Sequence, residues 1–494
     1  MKLNISIQKS KSGEDTAIAD GHFLHSNYAP VKEAERFVQN LKLPYLPKKI
    51  IILEPCLSYT ADFLRQAFPQ AQIGAIRYEK AFEKYNSKFD FVINYIEGMD
   101  FESYLEQAFN EEELLSIYFI SWTPSAQIYA DIDKKLWKAI KASLERAKTL
   151  LITRQYFEKK WLLNSCNFIK NVKTSLNFNS KISKDLLIIS SGPSLKPFIK
   201  FIAENQKKFF IICLSSAISL CIKNDIKPDL CMTTDGGYWA GQHLKKLAKC
   251  RLPLAMSAEA YCPKDLLQKL KILPLNYGDG LSKELLESSG LPYKTAVRNG
   301  TVSGTALFFA VQHASKNIFM CGLDLANQMG FQHSQPNELE LNNSLFDNRI
   351  KNKESRMVKA ELNPGSLEIY RSWFSANEMK IGDRKVIRLI QEKDRKNNLG
   401  WIKDFNLSDF EKYARNLNDE SSLVYEEACY EYDSKKISSL FSDDKKIEKW
   451  KSQLFPLDYV SLSHNTENIE IQNKIDEEWE NLKSKISGLL YDNL

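Results

Sequence analysis

The sequence predicts an α/β protein with two doubly wound, Rossmann-like units followed by a mainly helical carboxy-terminal domain. In two parts of the chain, short apolar runs of strand length alternate with helix-sized amphipathic segments. A long helical stretch, Leu136–Phe168, separates these parts. From Asp409 onward, acidic and basic side chains alternate around Leu, Ile, Trp and Phe, which is typical of solvated helices. Alternating strands and helices imply parallel sheets that are covered on both faces.

The amino-terminal unit is predicted from about residue 45 to 130, after an amphipathic helix at Val31–Leu41. Its strand-like runs are Lys49–Leu53, Ile73–Ile76, Phe91–Asn94 and Leu115–Ile120. The turn after the first strand, Glu54–Tyr59, has no glycine where a nucleotide-binding unit would carry several. Side chains there would keep a pyrophosphate away from the backbone. We therefore predict that residues 1–135 form a structural or acceptor-binding domain.

The remaining domain boundaries are predicted from changes in the pattern of apolar and polar residues along the chain. Residues 136–180 form a helical linker with an apolar stripe, residues 181–375 form the central domain, and residues 376–494 form the helical domain, interrupted at Pro456. Gln328–Glu361 is polar and lacks periodicity, so it is predicted to be a long loop or lid beside the central site.

The central domain begins with a buried strand, Leu186–Ile189, that runs into Ser190-Ser191-Gly192-Pro193-Ser194 and then a helix. Such a turn leaves free N–H groups at the positive end of a helix dipole, which favours a phosphate. The same pattern also fits an ordinary strand–helix connection. Further strand-like runs continue the domain: Phe209–Leu214, Leu230–Thr234, Leu252–Met256, Ile272–Leu275 and Ile318–Cys321.

Polar side chains follow these strands where ligands collect in parallel sheets. They include Ser215, Ser216, Asp235, Glu259 and Asp324. This set suits a hydroxyl-rich ligand and contains neither a metal cage nor a Walker lysine.

A second turn, Asn299–Gly304, precedes the predicted helix Thr305–Ala314. Gly300 and Gly304 would let the main chain approach a ligand, and Thr301 or Ser303 would either cap the helix or help bind a phosphate. Arg298 lies beside this turn and could grip a carboxylate or phosphate through two parallel hydrogen bonds.

Several of these motifs, in this order, resemble a known family. The run GPSL after a strand, Pro228-Asp229 before a strand that leads to Asp235, and Arg298–Asp324 resemble the motility-associated factor (Maf) flagellin glycosyltransferases. The start Gly21–Val38 fits the same architecture. The central domain is also similar to the archaeal 6-hydroxymethylpterin diphosphokinase (MptE-like) domain and to bacterial sialyltransferases that use CMP-sugars.

The resemblance implies an enzyme that transfers a nonulosonic acid of the pseudaminic or legionaminic type from a CMP-sugar to Ser or Thr of flagellin. It implies neither a metal nor a cofactor, because the leaving group is a nucleoside monophosphate. The implied nucleotide-sugar site comprises Ser191, Gly192, Pro193, Ser194, Ser215, Asp235, Arg298, Asn299, Thr301, Ser303 and Gly304. Sialyltransferases typically have an asparagine where this chain has Ser191, so the identity of the donor stays open.

Two residues are candidates for catalysis. An imidazole has the pKa range of a general base, which makes His333 the candidate for deprotonating the acceptor, although it could also be a surface-loop histidine. Asp324 ends a predicted buried strand and would either hold the loop through backbone N–H groups or face the sugar. The alternatives are pyrophosphoryl transfer to a pterin, with ATP and Mg²⁺, and a non-catalytic flagellin-binding motility factor.

Composition narrows the function classes. With 68 basic and 62 acidic side chains the net charge is +6, and no dense basic block marks a nucleic-acid interface. No apolar run has the length of a membrane span, and the amino terminus lacks an apolar stretch. The nine cysteines form no C-x-x-C pair, so we expect reduced thiols in a cytoplasmic protein.

Overall fold

A computed structural model describes residues 4–326, 330–359, 365–391, 398–418, 423–465 and 468–491. The chain divides into two compact units. The amino-terminal unit comprises Met1–Glu158 and Glu448–Asn481, and the central unit comprises Lys159–Ile447 and Leu482–Leu494. The predicted fold class is confirmed, since both units combine parallel sheets with helices and the chain ends in helices.

The elements of the amino-terminal unit are β1 (Ile5–Lys9), β2 (Asp15–Ala19), β3 (His22–Phe23), α1 (Pro30–Gln39), β4 (Lys49–Leu53), α2 (Tyr59–Ala67), β5 (Gln72–Arg77), β6 (Phe91–Asn94), α3 (Phe101–Ala108), α4 (Glu111–Ser116), β7 (Ile117–Ser121) and α5 (Thr123–Ile128). Strands β1, β2 and β3 form an antiparallel ribbon, and the other four form a parallel sheet in the order β6-β5-β4-β7.

Helix α6 (Ala130–Asn171) has 42 residues and contains the predicted helical stretch Leu136–Phe168. It crosses the boundary between the two units at Glu158. No helix in the described part of the chain combines the length and apolar character that a membrane crossing requires.

The central unit is built on one sheet. Its elements are β8 (Thr174–Asn177), β9 (Asp185–Ile189), α7 (Ile199–Asn205), β10 (Phe209–Leu214), α8 (Ile218–Lys223), β11 (Leu230–Thr233), α9 (Tyr238–Leu244), α10 (Leu247–Cys250), β12 (Leu254–Ser257), α11 (Lys264–Lys269), β13 (Lys271–Asn276), α12 (Gly280–Ser289), β14 (Lys294–Thr295), α13 (Val302–His313), β15 (Ile318–Cys321), α14 (Glu338–Ser344), α15 (Gly365–Ala376), β16 (Val386–Leu389), β17 (Lys403–Phe405), α16 (Leu407–Arg415), β18 (Glu426–Cys429) and α17 (Ser434–Ser438). The chain then continues with α18 (Asp444–Leu454), α19 (Pro456–His464) and α20 (Ile469–Leu490), and Pro456 interrupts the helices as predicted.

The sheet order explains how distant parts of the sequence meet. The order is β17-β16-β15-β9-β10-β11-β12-β13-β8-β18, with β14 also paired to β13. Strand β9 therefore lies between β10 and β15, and all three run parallel. Because parallel strands place their carboxyl ends at one edge, Ser190 and Gly322 become neighbours although they are far apart in sequence.

The structure divides the chain differently from the predicted domains at 1–135, 136–180, 181–375 and 376–494. Strands β16, β17 and β18 come from the segment that was predicted to be a helical domain, yet they join the central sheet. Glu448–Asn481 instead belongs to the amino-terminal unit. Strands β17 and β18 are short edge strands with charged side chains, so their sequences carry little of the apolar pattern of a buried strand.

The predicted polar loop Gln328–Glu361 is partly ordered into α14 and a 3₁₀ turn at Lys353–Arg356. Gly330 pairs with Val358 in an isolated antiparallel bridge, which closes the segment at its base. Residues 328, 329, 360 and 361 of the predicted loop lie outside the described residues.

Candidate active site

A cleft of about 240 Å³ opens where β9, β10 and β15 end and α13 begins. The two turns that were singled out in the sequence both contribute to its lining. Among the predicted site residues, the structure brings together Ser191, Gly192, Thr301, Ser303, Asp324 and His333. The lining also includes Leu367 and Tyr370 of α15.

The first turn is held by the loop that follows β15. Gly192 N–H donates to the Gly322 carbonyl at 2.9 Å, and Ser194 N–H donates to Asp324 Oδ2 at 3.0 Å. A Cβ atom at Gly192 would lie 2.4 Å from the Gly322 carbonyl oxygen and 2.5 Å from Asp324 Oδ2. Glycine is therefore required here for the contact between two turns of the protein.

This geometry corrects the prediction that the first turn offers free backbone N–H groups to a phosphate. Two of its N–H groups already have protein acceptors, and Pro193 opens a 3₁₀ helix, Pro193–Phe198, in place of an α-helix. Pro193 and Ser194 do not line the cleft, and Ser194 is buried. The turn presents the hydroxyl groups of Ser190 and Ser191 instead.

The second turn starts α13, and Thr301 is its N-cap. The Thr301 hydroxyl accepts a hydrogen bond from Gly304 N–H at 3.0 Å, so the capping interpretation holds for this residue. Asn299 does not line the cleft. Its side-chain oxygen accepts a hydrogen bond from Thr301 N–H at 3.0 Å. A Cβ atom at Gly304 would lie 2.5 Å from the Asn299 side chain, so Gly304 makes room for that side chain and not for a ligand.

His333 is joined to the first turn by hydrogen bonds. Its Nδ1 lies 2.9 Å from Ser191 Oγ, and Ser216 Oγ donates to the same Ser191 oxygen at 2.9 Å. Ser334 fixes the histidine's own segment, since its N–H donates to the Ser191 carbonyl and its hydroxyl donates to the Gly192 carbonyl. His333 is therefore part of the cleft wall.

Burial lowers the pKa of His333 from its usual 6.5, and the Glu340 carboxylate opposes this shift. His243, which lies near enough to interact with His333, also has a pKa lowered by burial and by that neighbour. The structure therefore holds the imidazole of His333 neutral at neutral pH, the form in which it can accept a proton.

Three comparisons place this architecture among known proteins. Residues 159–330 match the family described as 6-hydroxymethylpterin diphosphokinase MptE-like. The fold is similar to the solved structure of the Maf glycosyltransferase from Magnetospirillum magneticum AMB-1, with a TM-score of 0.53 and 13% identity, over 99% of this chain and 91% of that chain. The predicted resemblance is confirmed.

A protein of Treponema pallidum (strain Nichols), whose name is given only as uncharacterized, is 27% identical over 317 residues. The matched region covers 63% of this chain and 68% of the relative. At 13% identity the likeness to the Maf structure shows the fold, so the activity is argued from the cleft itself.

Within this Maf-like fold, Arg298 has a different role from the predicted grip on a ligand. Two of its guanidinium nitrogens donate to Glu259 at 2.7 and 2.8 Å, and one of them also donates to Asp279 at 2.9 Å. The guanidinium stacks near the rings of Trp161 and Tyr277. Arg298 is absent from the lining of the cleft and serves to neutralise the buried Glu259.

Two further predicted residues lie away from the cleft. Asp235 is exposed and accepts the Gly237 N–H at 2.7 Å in its own turn. Ser215 is buried beside Thr233, at 3.4 Å between their hydroxyl oxygens. Neither lines the cleft.

Four residues that line the cleft were not part of the predicted nucleotide-sugar site: Ser190, Ser216, Gln332 and Tyr370. Of the Ser215-Ser216 pair, the predicted site contained Ser215, but it is Ser216 that faces the cleft. The doublet did carry a signal, because two hydroxyls follow β10. Only the backbone direction at the strand end decides which of them points into the cleft.

The glycine-free turn of the amino-terminal unit is filled by its own side chains. Glu54 and Arg77, both buried, form an ion pair at 3.0 Å, and Arg77 also donates to the Cys56 carbonyl at 2.8 Å. Tyr78 N–H and Glu79 N–H donate to Glu54 Oε2. The buried pair occupies the end of β4 where a nucleotide-binding turn would offer free N–H groups.

Proposed function

We propose that this chain is a glycosyltransferase that moves a nonulosonic acid of the pseudaminic or legionaminic type from a CMP-sugar to a Ser or Thr hydroxyl of flagellin, in the cytoplasm and without a metal or cofactor. The observation that carries the proposal is the hydrogen-bonded set Ser216, Ser191 and His333 in a cleft that also contains the start of α13.

The donor phosphate is assigned to the amino terminus of α13. Thr301 caps Gly304 N–H, which leaves the N–H groups of Val302 and Ser303 in the first turn without intrahelical partners. These two residues line the cleft, and the dipole of this 12-residue helix favours an anion there. The Ser303 hydroxyl, 3.2 Å from that of Ser190, adds a further donor.

The proton transfer is assigned to His333. In the tautomer with the proton on Nδ1, that N–H donates to Ser191 Oγ, which also accepts from Ser216. Nε2 is then free to take the proton of the acceptor hydroxyl, while the Ser191 proton can be donated to the donor substrate. The acceptor oxygen bonds to the anomeric carbon, the bond from that carbon to the phosphate oxygen breaks, and its electron pair leaves with CMP.

Asp324 is assigned a positioning role. One of its carboxylate oxygens accepts the Ser194 N–H and lies against Gly192, so it fixes the first turn relative to the loop after β15. This favours the loop-holding interpretation over direct contact with the sugar.

The match to the MptE-like family supports a second candidate, pyrophosphoryl transfer from ATP to a pterin. That reaction would draw on carboxylates that converge on Mg²⁺ between the phosphates. Asp324 lines the cleft and Asp235 does not, which makes this candidate the weaker one.

Calorimetry with CMP and with ATP, each with and without EDTA, distinguishes the glycosyltransferase from the pyrophosphoryl-transfer enzyme. We expect CMP to bind in the presence of the chelator and Ser303→Glu to abolish that binding, because a carboxylate at the start of α13 competes with the phosphate. The control Ser434→Glu places the same charge on the exposed first turn of α17 and should change nothing. A strict requirement for Mg²⁺ with preference for ATP would reject the CMP-sugar proposal.

A further inference from the structure

An exposed apolar surface begins in α14 and continues in the residues that follow it. Leu345, Phe346 and Ile350 are 79%, 78% and 89% exposed, and Leu341 is 44% exposed. We call Leu341–Lys353 the apolar tip. Soluble proteins expose large apolar side chains singly as a rule, so four of them within ten residues mark an interaction surface.

The charges of the apolar tip are predominantly positive. It carries Arg349, Lys351 and Lys353 against one acid, Asp347, which forms an ion pair with Arg356. Within the described parts of the chain, Arg349 and Lys351 have no carboxylate at ion-pair distance. Lys353 lies over the ring of Phe331, 5.4 Å from its centroid.

The exposed fractions also indicate the shape of the surface. Side chains that are almost four-fifths or more exposed protrude from the protein, so a protein partner would need a matching groove. A lipid interface accepts protruding Leu, Phe and Ile side chains directly, and its anionic headgroups attract neighbouring Lys and Arg. We propose that the apolar tip docks on an anionic lipid surface.

The tip is attached to the segment that carries His333. At the start of α14, Glu338 accepts a hydrogen bond from Ser219 at 2.6 Å and pairs with Lys246 at 2.7 Å. Asn337 donates to the carbonyl of Ser216, the serine that bonds to Ser191. Lipid docking would therefore place the His333 wall of the cleft beside a membrane surface. The proposal does not depend on which group the cleft transfers.

Co-sedimentation of the full chain with vesicles tests it. We expect the native chain to sediment with phosphatidylcholine vesicles that contain phosphatidylglycerol, to remain in solution with phosphatidylcholine alone, and to be released by salt. Arg349→Gln with Lys351→Gln should weaken binding on the order of fivefold per cation removed. Phe346→Ser with Ile350→Ser should abolish it.

The matched control is Val424→Ser, which removes a side chain that is 79% exposed elsewhere and should leave sedimentation unchanged. The melting temperatures of all variants check that they are folded. Failure of the native chain to sediment with anionic vesicles, or tip variants that sediment like the native chain, would overturn the proposal. Loss of flagellin binding or of self-association in tip variants, without vesicle binding, would assign the tip to a protein partner and overturn it equally.

Discussion

At the residue scale, the site depends on a few side chains whose partners are fixed by the fold. The Ser191 hydroxyl forms hydrogen bonds with both His333 and Ser216, and Ser334 connects the segment that carries His333 to the first turn. Such fixed geometry is what a general base needs, because proton transfer requires the imidazole within hydrogen-bond reach of the acceptor.

The first prediction concerns pH. Because burial lowers the pKa of His333 below 6.5, transfer activity should fall only as the pH drops below that value. The stability of the protein should depend on pH in the same direction. Because the folded state disfavours protonation of His333, this residue makes its full contribution to the free energy of unfolding above pH 6.5, and that contribution is lost as the pH falls through the lowered pKa.

His333→Ala should reduce kcat by about 100- to 10,000-fold and leave CMP affinity nearly unchanged. Rate–pH profiles and calorimetry measure both. Equal losses in kcat and in CMP binding would show that His333 holds the donor and is not the base.

The second prediction separates the two neighbouring serines. Ser216→Ala removes a hydrogen bond to Ser191, so it should lower kcat and shift the pH profile with little change in KM for the donor. Ser215→Ala removes only a long contact with Thr233 and serves as the control. If both variants gave the native pH profile, a positioning role for Ser216 would be excluded.

At the scale of elements, the sequence was most informative where a strand is buried on both faces. The runs that became β9, β10 and β15 are continuous and apolar, and their predicted bounds agree with the structure to within one residue. The roles of the residues in the two turns were harder to predict from the sequence. From the sequence alone, Gly192 and Gly304 could each make room either for a ligand or for another part of the protein. The positions of Gly322 and Asn299 in the structure show that the second interpretation applies.

The partners of Arg298 could not be predicted from the sequence either. A cation beside a glycine-rich turn suggests an anion site, but the partner that occupies it, Glu259, comes from the loop after β12 and is brought there by the sheet. Sequence spacing contains no record of that contact. The position of a residue that directly follows a strand in the sequence was therefore easier to predict than its contacts with residues that follow another strand of the sheet.

The third prediction follows from this ion pair. Arg298→Ala leaves the buried Glu259 without its charged partner, so the free energy of unfolding should fall by about 1.5–3 kcal/mol, and CMP affinity should be retained. Urea denaturation and calorimetry check the two parts, with exposed Lys223→Ala as the control. A variant with native stability and weakened CMP binding would show instead that Arg298 binds the donor.

At the scale of the whole molecule, the carboxy-terminal region is more integrated than its sequence pattern indicates. Phe410 is fully buried, with ring centroids 5.5 Å from Phe209 and 5.2 Å from Phe319, and the Tyr413 hydroxyl lies 3.0 Å from Asp185. These contacts join residues that are 91 to 228 positions apart, which no local pattern can reveal.

The fourth prediction concerns a truncation. Deleting the residues after Asp409 removes Phe410, Tyr413 and β18 from the central unit. Loss of one buried Phe alone costs about 3–5 kcal/mol. The truncated chain should therefore lose cooperative thermal unfolding and CMP binding together. A truncated chain that melts cooperatively and binds CMP like the full chain would contradict the integrated central unit.

The central claim is that this chain glycosylates flagellin through the cleft that contains His333, and the mass of flagellin tests it most directly. A strain that lacks the chain is complemented with the native protein, with His333→Ala, or with the control Gly488→Ala, a site where an added Cβ meets no atom within 4 Å. We predict that native and Gly488→Ala proteins restore the glycan mass and that His333→Ala, present at the same level, does not. A flagellin mass that is unchanged without the chain, or that His333→Ala restores, would contradict the claim.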